Sequence, residues 1–276
     1  MTASPTPGTL FVVATPIGNL DDIAPRALET LRRADAVCAE DTRHTRRLLA
    51  HFGIERPLLA LHEHNETAQA DALVARLAGG ASLALVSDAG TPLVSDPGFV
   101  LVRAARAAGI RVSPVPGACA AVAALSVAGI PSDRFAFEGF LPAKAGLRRE
   151  RLQALAGEPR TLVFYESAHR IEASLADMAA LLGPDRPAAI ARELTKLFET
   201  VLDGPLGDLA ARVATDPDQR RGEFVVVVQG AGEDADAALA EGRRVYALLS
   251  AHLPPSQAAR LAAEITGAPR KGLYGG

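Results

Sequence analysis

The chain contains no tryptophan, only two cysteines and no unbroken apolar run of the length a membrane helix needs, roughly eighteen residues. Each shortage excludes something. A membrane-spanning helix is not expected, and Met1 to Gly8 lacks the charged-then-apolar pattern of a secretory signal. Cys38 and Cys119 lie far apart in apolar surroundings, so they read as buried free thiols, as suits a reducing cytoplasm. No Cys/His framework for a metal is present; the nearest pair, His62 and His64, reads as solvated on a strand-to-helix loop, and no metal is expected. The first strand is not followed by Gly-x-Gly-x-x-Gly, which removes support for a dinucleotide site. Gly-Lys-Ser/Thr phosphate loops and Gly-x-Ser-x-Gly elbows are missing as well. A net charge of −3 excludes a broadly basic surface, so any nucleic-acid contact must be local.

What is present is a 276-residue chain, 49% apolar, ample for one large or two medium domains. It is organised around the loop Ser87 to Gly98, which joins the apolar run Leu83 to Val86 to a helical pattern from Phe99. Two glycines allow close backbone approach and two prolines stiffen the turn, while Asp88 and Asp96 stand at its two ends. In a parallel α/β sheet, ligands bind beyond the carboxyl ends of the strands. The cluster therefore reads as a ligand loop, although each residue alone would serve as turn or cap.

Strand and helix alternate through the first half. Strands fall at Thr9 to Ala14, Ala36 to Ala39, Leu58 to Leu61, Leu83 to Val86 and Arg111 to Val115; helices fall at Ala24 to Arg33 and about Thr67 to Ala78. This predicts a parallel sheet with right-handed crossovers. The second half reads as a mixed sheet with fewer helices, in which Ala188 to Glu193 and Glu199 to Leu202 pair antiparallel. The domains are expected at 1–117 and 118–232, with a helical tail over 233–276. Residues at the apparent strand ends include Thr15, Glu40, Asp41, Asp88, Glu166 and Glu193, an acidic, backbone-rich set suited to a cationic or hydroxyl-bearing small molecule. S-adenosylmethionine is one such molecule among several.

Several motifs occur in order: Ala14-Thr15-Pro16-Ile17-Gly18-Asn19-Leu20, Glu40-Asp41-Thr42-Arg43, the Ser87 to Gly98 loop, Phe164-Tyr165-Glu166-Ser167, Arg192-Glu193-Leu194-Thr195-Lys196 and Gly222-Glu223-Phe224. Together they resemble the tetrapyrrole-methylase-like family, and within it the members that methylate ribosomal RNA. The resemblance runs from about Thr9 to Gly230 and continues weakly over Leu261 to Gly267. It implies the class III methyltransferase fold, two α/β domains with S-adenosylmethionine in the cleft between them, usually as a homodimer. It also implies 2′-O-methylation of a cytidine ribose in the decoding centre of 16S rRNA, on the small ribosomal subunit. Two other readings stay open. One is a porphyrin-like small-molecule methylase, though such relatives carry Gly-x-Gly-Pro-Gly-Asp after strand one and this chain does not. The other is a non-catalytic RNA-binding or assembly protein. Three departures stand out: Cys119 replaces a serine in Pro116-Gly117-Ala118-Cys119-Ala120, Ala168 replaces a proline in Tyr165 to Arg170, and glycines interrupt the C-terminus at Gly272, Gly275 and Gly276. The last suggests a shortened tail.

By resemblance, cofactor contacts fall on Asp88, Ala89, Gly90, Thr91, Ser95, Pro116 and Gly117, with Pro16 and Gly18 lining the cleft. Glu40, Asp41, Glu193 and Lys196 are the catalytic candidates, with His44 and Glu166 as further bases. Glu193 and Lys196 read equally as a cross-strand ion pair, and His44 reads better as a solvated helix residue. RNA contacts are expected from Arg43, Arg46 and Arg47 after the second strand. A second set, Lys144, Arg148 and Arg151, recurs at helical spacing on one face.

Overall fold

The computed structural model describes residues 6–62, 64–232 and 235–273, excluding the side chains of 235–238. Part of the Met1 to Gly8 segment and the closing Tyr274-Gly275-Gly276 lie outside the described residues.

The first half builds a five-stranded sheet in the order β3-β2-β4-β1-β5. Its strands are β1 (Thr9–Val13), β2 (Ala36–Ala39), β3 (Leu58–Ala60), β4 (Leu83–Val86) and β5 (Arg111–Val115), and every pairing is parallel. Helices α1 (Pro25–Arg33), α2 (Thr42–His51), α3 (Glu66–Ala78) and α4 (Phe99–Ala107) make the crossovers. Both faces are covered, so β2 and β4 are buried at every residue. Val37 and Ala39 pack with α1, while Ala36 and Cys38 pack with α3 and α4. Burial pushes the Cys38 thiol up to about 12, consistent with an inert core residue.

The second sheet runs β6-β7-β10-β8-β9. Its strands are β6 (Phe135–Phe140), β7 (Thr161–Ser167), β8 (Pro187–Arg192), β9 (Thr200–Pro205) and β10 (Glu223–Val228). Only β6 and β7 are parallel; β8 pairs antiparallel with β9 as the short connection predicts. Strand β10 is central, and its side chains alternate between two cores: Phe224, Val226 and Val228 on one face, Val225 and Val227 on the other. The first face packs α6 (Ala145–Leu155), α7 (Ile171–Leu182) and α8 (Leu206–Thr215); the second packs α5 (Ala120–Val127). The expectation of fewer helices in this half is incorrect. Helix α8 buries Leu206, Leu209 and Val213 at helical spacing, a stripe legible in the sequence but overlooked between two strands. The tail forms α9 (Ala235–Ser250) and α10 (Pro255–Thr266), which close over a small core of Ala259, Ala262, Ala268 and Leu273.

Helix α6 overturns one expectation. Arg148 does not face outward with Lys144 and Arg151; it shares the inner stripe of Leu152 and Leu155, four and seven residues on. Its guanidinium meets the Asp177 carboxylate of α7 at 2.6 Å, with side chains 8% and 9% exposed. Arg149, also paired with Asp177, stays solvent-facing, and Arg151 is bound to Glu138 of β6. The basic spacing was real, but apolar packing against α7 chose the side of the helix that turns inward. Arg148 is therefore removed from the RNA-contact set, and Arg151 has a protein partner. Replacing one member of a buried ion pair strands the other charge, at a cost of about 3–5 kcal/mol. Asp177→Asn should lower the unfolding free energy by about that amount in urea denaturation, whereas Glu172→Gln, which removes an exposed pair with Arg220, should change it by less than about 1 kcal/mol.

Candidate functional site between the two sheets

The loops after β1, β2 and β4 meet the second sheet around a cavity of about 330 Å3. One backbone bridge sets the first sheet's side of it: the Thr15 and Gly90 amides each donate to the other's carbonyl, at 2.9 and 3.1 Å. Thr91 Oγ1 then donates to the Ala118 carbonyl at 3.0 Å, tying the loop to the chain that enters α5. Asp88, Ala89, Gly90, Thr91 and Ser95 of the organising loop all line the cavity. Pro16, Gly18, Pro116 and Gly117 do not line it. Pro16 is buried beside Ile17, which does. Gly18 is a point of close approach, since a Cβ there would lie 2.4 Å from Lys196 Cγ. Gly117 packs against Ala14, and Pro116 is exposed.

On the first sheet's side, the acidic residues Glu40, Asp88 and Asp96 line this space. Burial pushes Asp96 up to about 6, and the nearby Glu40 and Asp88 charges add to the rise against a hydrogen bond from Ser87. Burial also raises Glu40, again with Asp88 contributing repulsion. Asp96 was legible in the loop but not singled out as a site residue, because its burial and its closeness to Glu40 and Asp88 arise only in the folded chain. Asp88 is held in place by the Asp41 amide, which donates to its Oδ1 at 3.0 Å. Asp41 itself is not among the residues lining the cavity. Its Oδ1 caps α2 by accepting from Arg43 N at 2.8 Å, and the Arg43 guanidinium beside it holds the carboxyl far below the usual range. Such a carboxylate is a poor proton acceptor, so its position argues for orienting Asp88.

Glu193, Lys196 and Glu223 form the opposite wall. Lys196 Nζ donates to Glu193 Oε1 and to Glu223 Oε2, each at 2.8 Å. Glu193 Oε1 also accepts from the Glu223 amide at 2.9 Å. Burial alone would raise Glu193, but Lys196 and the amide outweigh it and its pKa is lowered. Burial likewise works against the Lys196 charge, yet the two glutamates win and the ammonium is retained. Gly222 makes this possible: at φ 98° it lets the Glu193 carboxylate approach where a Cβ would sit within 2.6 Å. The non-glycine residues with left-handed φ among the described residues are Leu93, Ser95, Glu193 and Thr195, all on the two loops that flank the cavity.

The remaining candidates divide between the cavity and the surface. Glu166 lines the cavity from β7, but its carboxylate accepts from Ser174 Oγ at 2.6 Å and pairs with Arg170, so it is committed to the structure. His44 is exposed on α2, as expected of a solvated residue, and so are Arg46 and Arg47. Arg43 is exposed but tied to Asp41, and Lys144 is exposed at the start of α6. Sequence reasoning missed Ile17, Phe140, Ala191 and Val225 as wall residues. Tyr165 also lines the cavity, and its hydroxyl accepts from the Ala121 amide at 3.1 Å.

Residues 9–210 match the family of tetrapyrrole (corrin/porphyrin) methylases. The chain belongs to that family. Residues 236–275 match a further profile described as the RsmI C-terminal HTH domain, so the tail over α9 and α10 is a recognised module despite its closing glycines. Among curated relatives of this methylase, Ribosomal RNA small subunit methyltransferase I from Xylella fastidiosa (strain Temecula1) is 68% identical, covering 98% of this chain and 99% of its own. The protein of the same name from Pseudomonas aeruginosa is 61% identical over 97% of this chain and 95% of its own. Among solved structures, the methyltransferase CobJ superposes with a TM-score of 0.59 at 22% identity, covering 81% of this chain and 95% of its own. Uroporphyrin-III C-methyltransferase from Thermus thermophilus, solved with S-adenosyl homocysteine, gives 0.54 at 18% identity, covering 80% and 97%. Both likenesses support the fold, two α/β domains of the tetrapyrrole-methylase type.

Proposed function

We propose that this methylase transfers a methyl group from S-adenosylmethionine to a ribose 2′-hydroxyl of small-subunit ribosomal RNA, the target being a cytidine of the 16S decoding centre. The observation that carries the reading is a cavity with carboxylates on one wall and an anchored lysine on the other, in a chain nearly collinear with named rRNA methyltransferases. The carboxylates of Glu40, Asp88 and Asp96 repel one another, and a sulfonium or ammonium would relieve that repulsion. The 88–91 backbone and Ser95 supply the polar contacts for the remainder of the cofactor. Bound there, S-adenosylmethionine supplies an electrophilic methyl group. The protein's part is alignment and proton transfer. Orientation accounts for up to about 7–11 kcal/mol of barrier lowering, and a positioned base for about 10²–10⁴-fold. Lys196, protonated and fixed by two glutamates, presents a cation to the ribose oxygen; it is not the base. Asp41 orients Asp88, and Glu193 anchors Lys196. Glu40, whose carboxyl is raised, is left as the proton acceptor.

The surrounding assignments follow from the same reading. Domains run 1–117 and 118–232, with 233–276 as an appended module. Arg46, Arg47 and Lys144 are the exposed RNA contacts for which no ion pair is seen among the described residues, Arg43 and Arg151 reach RNA only from ion pairs with Asp41 and Glu138, and Arg148 is buried against Asp177. The protein works in the cytoplasm with both thiols reduced; among the described residues no helix is long and apolar enough to cross a membrane. Exposed Val122 and Val127 of α5, with Leu197 and Phe198, offer apolar surface for a homodimer.

Three measurements check these statements. Labelled methyl from S-adenosylmethionine should appear in the 16S rRNA of small ribosomal subunits and map to one cytidine 2′-oxygen; transfer to a porphyrinoid, and none to rRNA, would overturn the substrate. In calorimetric titrations the cofactor should bind most tightly above pH 6. Its affinity should fall, by at most about tenfold per pH unit, as acid protonates Asp96 and removes a charge the cation uses. Asp96→Asn should flatten that dependence, and Asp88→Ala should weaken binding at every pH without unfolding the protein. Light scattering at micromolar concentration should give a dimer that reductant leaves intact, and a monomer would remove that proposal.

A further inference from the structure

The mouth of the cavity carries an aromatic ring that the chemistry above does not use. Phe140 closes β6 and lines the cavity, yet the residue is 52% exposed. The ring is held from behind. Tyr165 meets it edge-on at 5.7 Å between centroids, and Phe137 meets Tyr165 at 4.9 Å. The Ala121 amide fixes the Tyr165 hydroxyl, which burial keeps protonated. An irregularity in the β6–β7 register between Phe137 and Gly139 re-aims the end of the strand, and Gly139 lies against Ser95 of the acidic loop. An exposed aromatic residue, backed by Tyr165, thus stands at the edge of the site.

The other exposed phenylalanines are differently placed. Phe99 sits under the Arg103 guanidinium at 5.3 Å, Phe135 starts β6 rather than ending it, and Phe198 follows Lys196 without lining the cavity. Phe140 is the exposed ring that the cavity itself uses.

We infer that Phe140 is the platform on which the target nucleobase stacks, turned out of its strand, while its ribose enters the cavity towards Lys196. The inference rests on the reading of an RNA 2′-hydroxyl as substrate. A cavity of about 330 Å3 is at the small end for a ligand site, so a cofactor takes up most of it and only the reacting edge of a nucleotide, not a strand, can reach in, which leaves the base at the exposed side where Phe140 stands. The nucleotide must then leave its neighbours, and the stacking it loses has to be replaced. An aromatic face does this for single-stranded RNA. Phenylalanine has no hydrogen-bonding atom, so the platform holds the base without reading its identity; identity is read elsewhere, along the strand.

The test compares Phe140→Ala, Phe140→Leu and Phe140→Tyr in methyl transfer to small ribosomal subunits lacking the modification, alongside titration with S-adenosylmethionine. Alanine and leucine should each lower kcat/KM by at least about tenfold, since both lose a base-stacking face, and tyrosine should restore most of it. Cofactor affinity should stay within about twofold of wild type in all three, because stacking concerns the RNA alone. Leucine keeps apolar bulk, so leucine as active as tyrosine would reduce Phe140 to packing and overturn the platform. A fall in cofactor affinity that accounts for the lost activity would overturn it too, assigning the ring to the cofactor. Wild-type protein that methylates no rRNA would instead fail the underlying reading, and the platform with it.

Discussion

Carboxylates crowded into one cavity repel, and the shape of this site follows from keeping them there. Glu40 and Asp88 leave the ends of neighbouring strands β2 and β4, while Asp96 returns from the far end of the loop that β4 begins. Parallel strands bring such ends together because their register is shared. The first half could not hold this cluster if its sheet were soft. Burial of β2 and β4 on both faces makes it stiff, and the Thr15–Gly90 bridge and the Asp41 amide pin the loops above it. On the proposed reading, a cation bound among these carboxylates offsets their repulsion.

The opposite wall solves a different problem, that of keeping a lysine charged and still. Two glutamates on separate strand ends hold Lys196, and backbone strain at Glu193 and Thr195 sets the loop that carries it. Gly18 and Gly222 remove the side chains that would keep the loops apart. In the proposed mechanism one wall favours a cation as ligand, while Lys196 on the other presents a cation to the reacting oxygen. Those are the two charge requirements of moving a methyl group from a sulfonium to a hydroxyl.

Much of this was legible in the chain. Apolar runs separated by helical periods identify the parallel sheet, and the Ser87 to Gly98 loop identifies its ligand edge, because both signals are local. The same local logic failed at Arg148, whose spacing fits an exposed basic face and an inner stripe equally until α7 supplies Asp177. It failed again at Asp41, where a candidate base proves to be a helix cap engaged by its own neighbour. Helix α8 was hidden between two strands for the opposite reason, its apolar stripe being short.

By itself the sequence determined the alternation of elements, the two kinds of sheet, the acidic ligand loop and the family. These depend on residue order and on side-chain periodicity, which survive without knowledge of partners. Only the tertiary structure decided which carboxylates share a cavity, that Asp96 is among them, that Lys196 is clamped in its charged form, and that Phe140 stands exposed at the mouth. Those properties arise between the halves, from residues such as Asp88 and Glu223 that lie far apart in the chain. Burial and charge coupling are functions of distance in space, and the chain order does not contain that distance.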